Sequence, residues 1–392
     1  MGRKRKQTTE NTENIKKIHR YSMDICSRTT AIFGGSDDEK RAQNTYENAI
    51  KNMGVKTFGS AFATRPHAQY GWIFFISTFT LLAHILYFFT PAFAIVSLAI
   101  GALTYLLVAV MKLPVLNPFF ESFNSHNMWA ESQPVQAVKA RLVLTLHTDN
   151  DFSRPWRNKG GKALDIALVV TALLANVLLM ALSITACAIQ GGLGVVSGAL
   201  LYVGLGSLIF IPFEICLYFS IDLSKVDKNV GNLHASDIAL NCIEKISNEP
   251  LQNLQVLAVW LGSKEDNQNG AKKFVLDNDF GKEIPTYCID LDSINGTLIN
   301  ISSKELPLEK PSERLANLVE KCCTQNNVGV TKKDKLFSHT QSSVFRTRYD
   351  SISLTSNNVA ELSDDDITLL AQTLESVART MDNNLAGRPS DK

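Results

Sequence analysis

The sequence predicts an α/β fold, a mostly parallel mixed sheet flanked by helices, interrupted by two transmembrane helical hairpins. Three observations predict it. After Asp222, apolar runs of strand length alternate with helical stretches, the order that builds a parallel sheet covered by helices. Four long runs carry almost no charge and come as two pairs, each pair joined by a short break. Finally, ARLVLTLHTDND, Ala140 to Asp151, reads as a buried strand ending in His147, Thr148 and Asp149. That puts polar side chains at a strand's C-terminal end, where open α/β sheets place their sites.

Composition narrows the function classes. The 392 residues carry a formal net charge of +1, which lacks the basic footprint of a nucleic-acid binder. Seven cysteines, with no C-x-x-C pair among them, are expected to be reduced thiols rather than a disulfide or zinc-finger framework.

Taken in order, residues 1–13 form a basic, polar tail opened by MGRKRK, and no cleavable signal peptide is expected. Residues 14–70 read as the helical N-terminal part of the α/β domain. Within them Glu39, Ala42, Tyr46 and Ile50 fall near helical spacing, with Ser36 and Asp37 as N-caps and Gly54 as a stop. Residues 71–111 form the first hairpin: GWIFFISTFTLLAHILYFF, a break at Thr90 and Pro91, then a second apolar run. Residues 112–162 return to water and contain the HTD strand. The second hairpin, residues 163–220, pairs Ala163–Gln190 with Leu193–Ser220 around GGLG. His84 and Glu214 lie within spans and are expected to face protein, because a charge facing lipid is costly.

Residues 221–392 complete the α/β domain. Helices are expected over Ala235–Ile246, Asn269–Val275, Ser312–Thr324 and Asp364–Met381, and strands at LQVLAVWL, TYCIDLD and DSISLT. Both hairpin turns lack Lys and Arg, whereas Lys112, Arg154, Arg157, Lys159, Lys162, Lys225 and Lys228 flank the other ends. The positive-inside rule then places the polar domain and both termini in the cytoplasm, with four helices crossing the cell membrane. The sequons at Asn295 and Asn300 would be chance matches.

Four stretches, in order, are similar to motifs of the zinc-dependent aminopeptidase family that includes bacterial leucyl aminopeptidases and glutamate carboxypeptidase. The first is HTD. The second, NVGNLHASDIAL from Asn229 to Leu240, resembles G-A-x-D-N-A-S-G-x-A. The third, LGSKEDNQNGAKKF from Leu261 to Phe274, resembles G-A-E-E-x-G-L-x-G-A-x-x-F. The fourth, YCIDLDSING from Tyr287 to Gly296, resembles I-N-L-D-x-x-G. FGGSDDEKRAQNTYENAIKNMG echoes the family's opening G-S-x-x-E helix, and TQSSVFRTRYDSISLT lies where S-D-H-x-P-F is expected.

The resemblance implies a two-zinc site, and the carry-over to it is uneven. His147 and Asp292 match ligands of the first zinc, and Glu265 matches a ligand of the second. Asp149 would sit behind them, orienting the imidazole ring or a ligand. The bridging carboxylate falls at Leu233, the general base at Lys264, and the late histidine ligand at Ser342 with Gln341 beside it. A shifted register makes Glu265 the base and Asp266 the ligand, at the expense of the Gly270 match. His234 and His339 are the candidate substitutes for missing ligands. Zinc is therefore expected to be weakly held or absent, and no catalytic base remains at its expected position. A catalytically degenerate membrane protein used for binding a peptide or protein partner, or for assembly, is the leading expectation. An atypical single-zinc aminopeptidase and a transporter component are the alternatives.

Overall fold

Two strands at the centre of the sheet, ARLVLTLH and LQVLAVWL, are mostly apolar on both faces, which a covered, parallel arrangement buries. The computed structural model describes residues 21–278, 283–305, 311–335, 340–356 and 362–386. In chain order the strands are β1 (Lys56–Thr64), β2 (Phe123–Ser132), β3 (Ala140–His147), β4 (Phe152–Ser153), β5 (Asp222–Val226), β6 (Leu254–Leu261), β7 (Thr286–Leu291), β8 (Ile299–Glu305), β9 (Val330–Lys335) and β10 (Asp350–Ser356). Eight of them make one mixed sheet in the order β1-β2-β6-β3-β7-β10-β8-β9, and β4 pairs with β5.

Chain contacts divide the molecule into two units: residues 1–64, 123–150 and 228–392 in the first, and residues 65–122 and 151–227 in the second. The first unit holds the large sheet. Its centre, β6-β3-β7-β10, is parallel, and the antiparallel pair β1-β2 extends one side. On the other side β8 joins antiparallel to β10 and β9 runs parallel to β8. Alternation along the strands splits the core into two layers. Leu142, Leu144, Leu146, Val256, Ala258 and Trp260 pack under the helices Val230–Asn248 and Asp364–Ala386. Val143, Leu257, Val259, Leu261 and Cys288 pack on the opposite face with Phe274 and Phe345, from the helices Asn269–Asp277 and Gln341–Phe345.

The predicted N-terminal helix spans Asp37–Asn52 with the Ser36 hydroxyl as its N-cap, and Gly54 closes it at φ 76°. The helix expected from Ala235 instead begins at Val230, because Asn229 caps it by accepting from the Gly231 amide. The strands β1, β2, β8 and β9 were not expected. Their sequences mix polar and apolar residues, as strands at a sheet's margin do, and alternation over so few residues is a weak signal. All seven cysteines are free. Asn300 is buried and accepts from Thr331, so this sequon is closed to glycosylation in the folded chain.

The second unit contains four helices long and apolar enough to cross a membrane: Ala68–Phe89, Pro91–Val110, Pro155–Gln190 and Gly198–Tyr218. The third is longer than expected and is broken at Gly161, whose backbone is non-helical with φ 72°. Large apolar side chains such as Ile85, Val177, Ile189 and Ile209 are exposed on these helices. Inside, Asn176 donates to Thr80 Oγ1 at 2.7 Å, and His84 Nδ1 lies 3.0 Å from the Thr80 carbonyl. His84 and Glu214 are buried within the unit.

Candidate functional site

The parallel strands β6, β3 and β7 are neighbours, so their C-terminal ends open onto one rim of the sheet. His147 is the last residue of β3, Asp292 follows the last residue of β7, and Lys264 and Glu265 lie just beyond β6. These four residues, drawn from three separate motifs of the sequence, meet there. Lys264 Nζ lies 2.6 Å from Asp292 Oδ1, 3.2 Å from His147 Nε2 and 3.2 Å from Glu265 Oε1.

An ammonium has three donors and no acceptor, so each N–H of Lys264 finds one partner in this set. The bond to His147 therefore requires Nε2 to be the unprotonated ring nitrogen. Burial, reinforced by the Lys264 charge, holds the imidazole well below its ordinary pKa and keeps it neutral, against the pull of Asp292. Burial also works against the Lys264 ammonium, but Asp292 and Glu265 overcome it and hold its pKa well above the usual lysine value. Lys264 thus stands among the three side chains as a charged donor.

The loop that presents Lys264 is fastened at several points. Gly262 N donates to Asn127 Oδ1 at 3.1 Å, Ser263 N to Glu39 Oε1 at 3.0 Å, and Glu265 N to Asp149 Oδ2 at 2.9 Å. Ser263 sits at φ 52°, a conformation a non-glycine residue adopts only when its surroundings compel it. At Gly270 a Cβ would come within 2.0 Å of the Gly262 carbonyl oxygen, so the helix beginning at Asn269 can approach the loop only with glycine there. Asp266, the ligand of the shifted register, accepts instead from the Thr64 hydroxyl.

Glu39, from the Asp37–Asn52 helix, is fully buried and also accepts from Gly35 N and Ser125 Oγ, both at 2.7 Å. Burial raises its carboxyl above the ordinary value in spite of these bonds. Asp149 fastens the Glu265 backbone. Burial, with Glu39 and Glu265 close by, pushes its carboxyl well above the usual range.

Leu233, His234 and Ser342, the other positions that the motifs bring to the metal set, are all buried. Leu233 is buried in the apolar core, with its carbonyl accepting from the Tyr46 hydroxyl at 3.2 Å. Its neighbour Asn232 donates to Asp149 O at 2.9 Å and Asn150 Oδ1 at 3.0 Å, and His234 is buried on the same helix. Ser342 is built into a hydrogen-bond network: its Oγ lies 2.7 Å from Thr340 Oγ1 and accepts from Arg346 at 2.9 Å, while its carbonyl accepts from Ser351. His339 lies outside the described residues. Among the described residues no group of three or more His, Cys, Asp or Glu side chains is arranged to hold a metal ion.

A second tier was missed in the sequence. Thr145 and Asp290 are partners across β3 and β7, two residues before His147 and Asp292 and on the same face. Thr145 Oγ1 donates to Asp290 Oδ1 at 3.0 Å, and Asp290 Oδ2 accepts a long 3.4 Å bond from Ser342 N. The signal was present as single polar residues inside otherwise apolar strand runs.

No protein-family model and no curated protein matches this chain. Solved structures do. A glutaminyl cyclase from Fimbriiglobus ruber has a TM-score of 0.51 at 9% identity, covering 93% of this chain and 94% of that one. A leucine aminopeptidase precursor from Bacteroides thetaiotaomicron has 0.50 at 10%, covering 93% and 96%. The aminopeptidase from Aneurinibacillus sp. strain AM-1 has 0.50 at 9%, covering 94% and 92%. The fold is aminopeptidase-like. Identities this low speak to the fold and leave the chemistry to the residues of this chain.

Those residues do not fit zinc. A tetrahedral zinc holds nitrogen and oxygen ligands at about 2.0–2.2 Å, which brings neighbouring donor atoms to about 3.3 Å from each other. His147 Nε2 and Asp292 Oδ1 stand 4.0 Å apart, and the ammonium is bonded to both.

Proposed function

We propose that this chain is a multi-pass membrane protein whose aminopeptidase-like unit has lost metal-dependent hydrolysis and serves as a binding or assembly module on the cytoplasmic face of the cell membrane. One observation carries the reading: the Lys264 ammonium is bonded to His147, Asp292 and Glu265 together. A protonated lysine cannot accept a proton from water, and its charge repels a metal dication from the same three side chains. Leu233 and Ser342 support the reading, since neither supplies the bridging carboxylate or the late imidazole a two-metal centre needs. The four apolar helices support membrane insertion, and the lysine and arginine distribution supports the cytoplasmic orientation. The sheet rim remains a surface on which a peptide terminus or a protein loop can dock.

Protein purified in detergent, without added chelator, is expected to carry substoichiometric metal and to leave aminoacyl p-nitroanilides uncleaved, with or without added zinc. Stoichiometric zinc accompanied by chelator-sensitive cleavage would overturn this reading in favour of an active enzyme.

A further inference from the structure

We infer that Lys264 is a built-in replacement for a metal ion, its ammonium occupying the centre of a donor set that would bind a divalent cation of the zinc class if the lysine were removed. This rests on the proposed loss of hydrolysis and says what replaced the metal. Three features carry it.

The first is the chemistry of the partners. One neutral imidazole and two carboxylates are a donor set that a borderline cation such as zinc takes. Here they converge on one nitrogen, at 2.6, 3.2 and 3.2 Å. The His147 tautomer that accepts from an ammonium through Nε2 is the one that offers the same lone pair to a metal. The second is burial. His147 is 1% exposed, and the side chains of Lys264 and Asp292 are 12% and 17% exposed, so Asp292 has little water to compensate it and needs a cation close by, while Glu265 is 29% exposed.

The third is delivery. Lys264 is no free surface chain that has folded back by chance. Its backbone follows Ser263 in a left-handed conformation, pinned by Glu39 on one side and, through Glu265, by Asp149 on the other. Loop and ligands are therefore organised around a cation, and the 4.0 Å separation of His147 Nε2 from Asp292 Oδ1 suits N–H hydrogen bonds rather than metal–ligand bonds. Without the lysine, a contraction of roughly 0.7 Å would bring those two atoms to the spacing of neighbouring zinc ligands.

The test compares the full-length chain with Lys264→Ala, with Lys264→Met, which keeps the length and removes the charge, and with His147→Ala/Lys264→Met, each titrated with zinc ions in competition with a chromophoric chelator. The parent is expected to bind no zinc at this site, both single variants to bind one ion, and the double variant to bind at least about tenfold more weakly. A folded Lys264→Met protein that binds no zinc, or whose binding is indifferent to His147→Ala, would overturn the inference while leaving the loss of hydrolysis standing. If both single variants emerge unfolded, recovery of the thermal transition on adding zinc supports the inference, and failure to recover overturns it. Zinc bound by the parent together with peptide cleavage would instead sink the reading on which it rests.

Discussion

Two buried acidic sites, one in each unit, are handled in opposite ways. At the sheet rim, Asp292 and Glu265 share an ammonium supplied by their own chain. In the helical unit, Glu214 is fully buried, and among the described residues neither of its carboxylate oxygens has a hydrogen-bond partner. The contrast teaches where each unit is finished. The rim carries its own compensation. The helical unit holds a group that costs several kcal/mol as a bare anion unless something neutralises it, and its neighbours in the helix Ile211–Tyr218 are otherwise apolar or weakly polar.

The contrast makes predictions of opposite sign. The largest effect is expected at the rim. Asp292→Ala removes the shortest partner of a buried ammonium and should cost about 3–5 kcal/mol, read from the denaturant midpoint. A cost below about 1 kcal/mol would mean that water, not protein, compensates Lys264. At the other site, Glu214→Leu should leave thermal stability in detergent unchanged or raise it by about 1–4 kcal/mol, because it replaces an uncompensated acid with an apolar side chain. Marked destabilisation would show that Glu214 has a partner after all, and the comparison would collapse.

A third case sharpens it, since Asp237 is a buried acid held by neutral groups alone. Tyr46 donates to Asp237 Oδ1 at 3.3 Å, and burial pushes the carboxyl well above its ordinary value. The folded chain then keeps this proton to higher pH than the unfolded chain does. Its contribution to stability is complete below the ordinary carboxylate range and is lost as pH rises toward the folded pKa, by at most about 1.4 kcal/mol per pH unit. Asp237→Asn should flatten that slope at pH values above the ordinary carboxylate range in denaturant titrations. An unchanged slope would assign the proton elsewhere.

How much of this was legible in the sequence depended on burial. The central strands β3 and β6 were readable because both faces are covered and their sequences are mostly apolar, and β10 because Ile352 and Leu354 alternate with small polar residues. The marginal strands escaped because FNSHNMWAES and VTKKDK owe their conformation to strand neighbours rather than to any local pattern. The fold expected from the motifs is the fold of the structural matches, with a more mixed sheet. At the site, order and spacing were enough to bring His147, Glu265 and Asp292 to one rim. The position of the lysine was not readable. Sequence placed Lys264 where a base would stand and suggested a charge opposed to a nearby metal. Only three-dimensional placement puts its nitrogen within reach of all three side chains. Thr145 and Asp290 were hidden for a related reason, since a polar residue in a buried strand declares its partner only across the sheet register.

The Glu39 clamp on Ser263 has a consequence for maturation. A domain built around an inorganic ion is finished only after the surrounding solution has delivered one, and starvation or chelation can undo it. Here the stabilising charge is encoded in the polypeptide and set in place by a carboxylate synthesised more than two hundred residues earlier. With Lys264 in the place of a metal, as inferred above, such a domain would be complete the moment its last strands close, whatever the supply of trace elements around it.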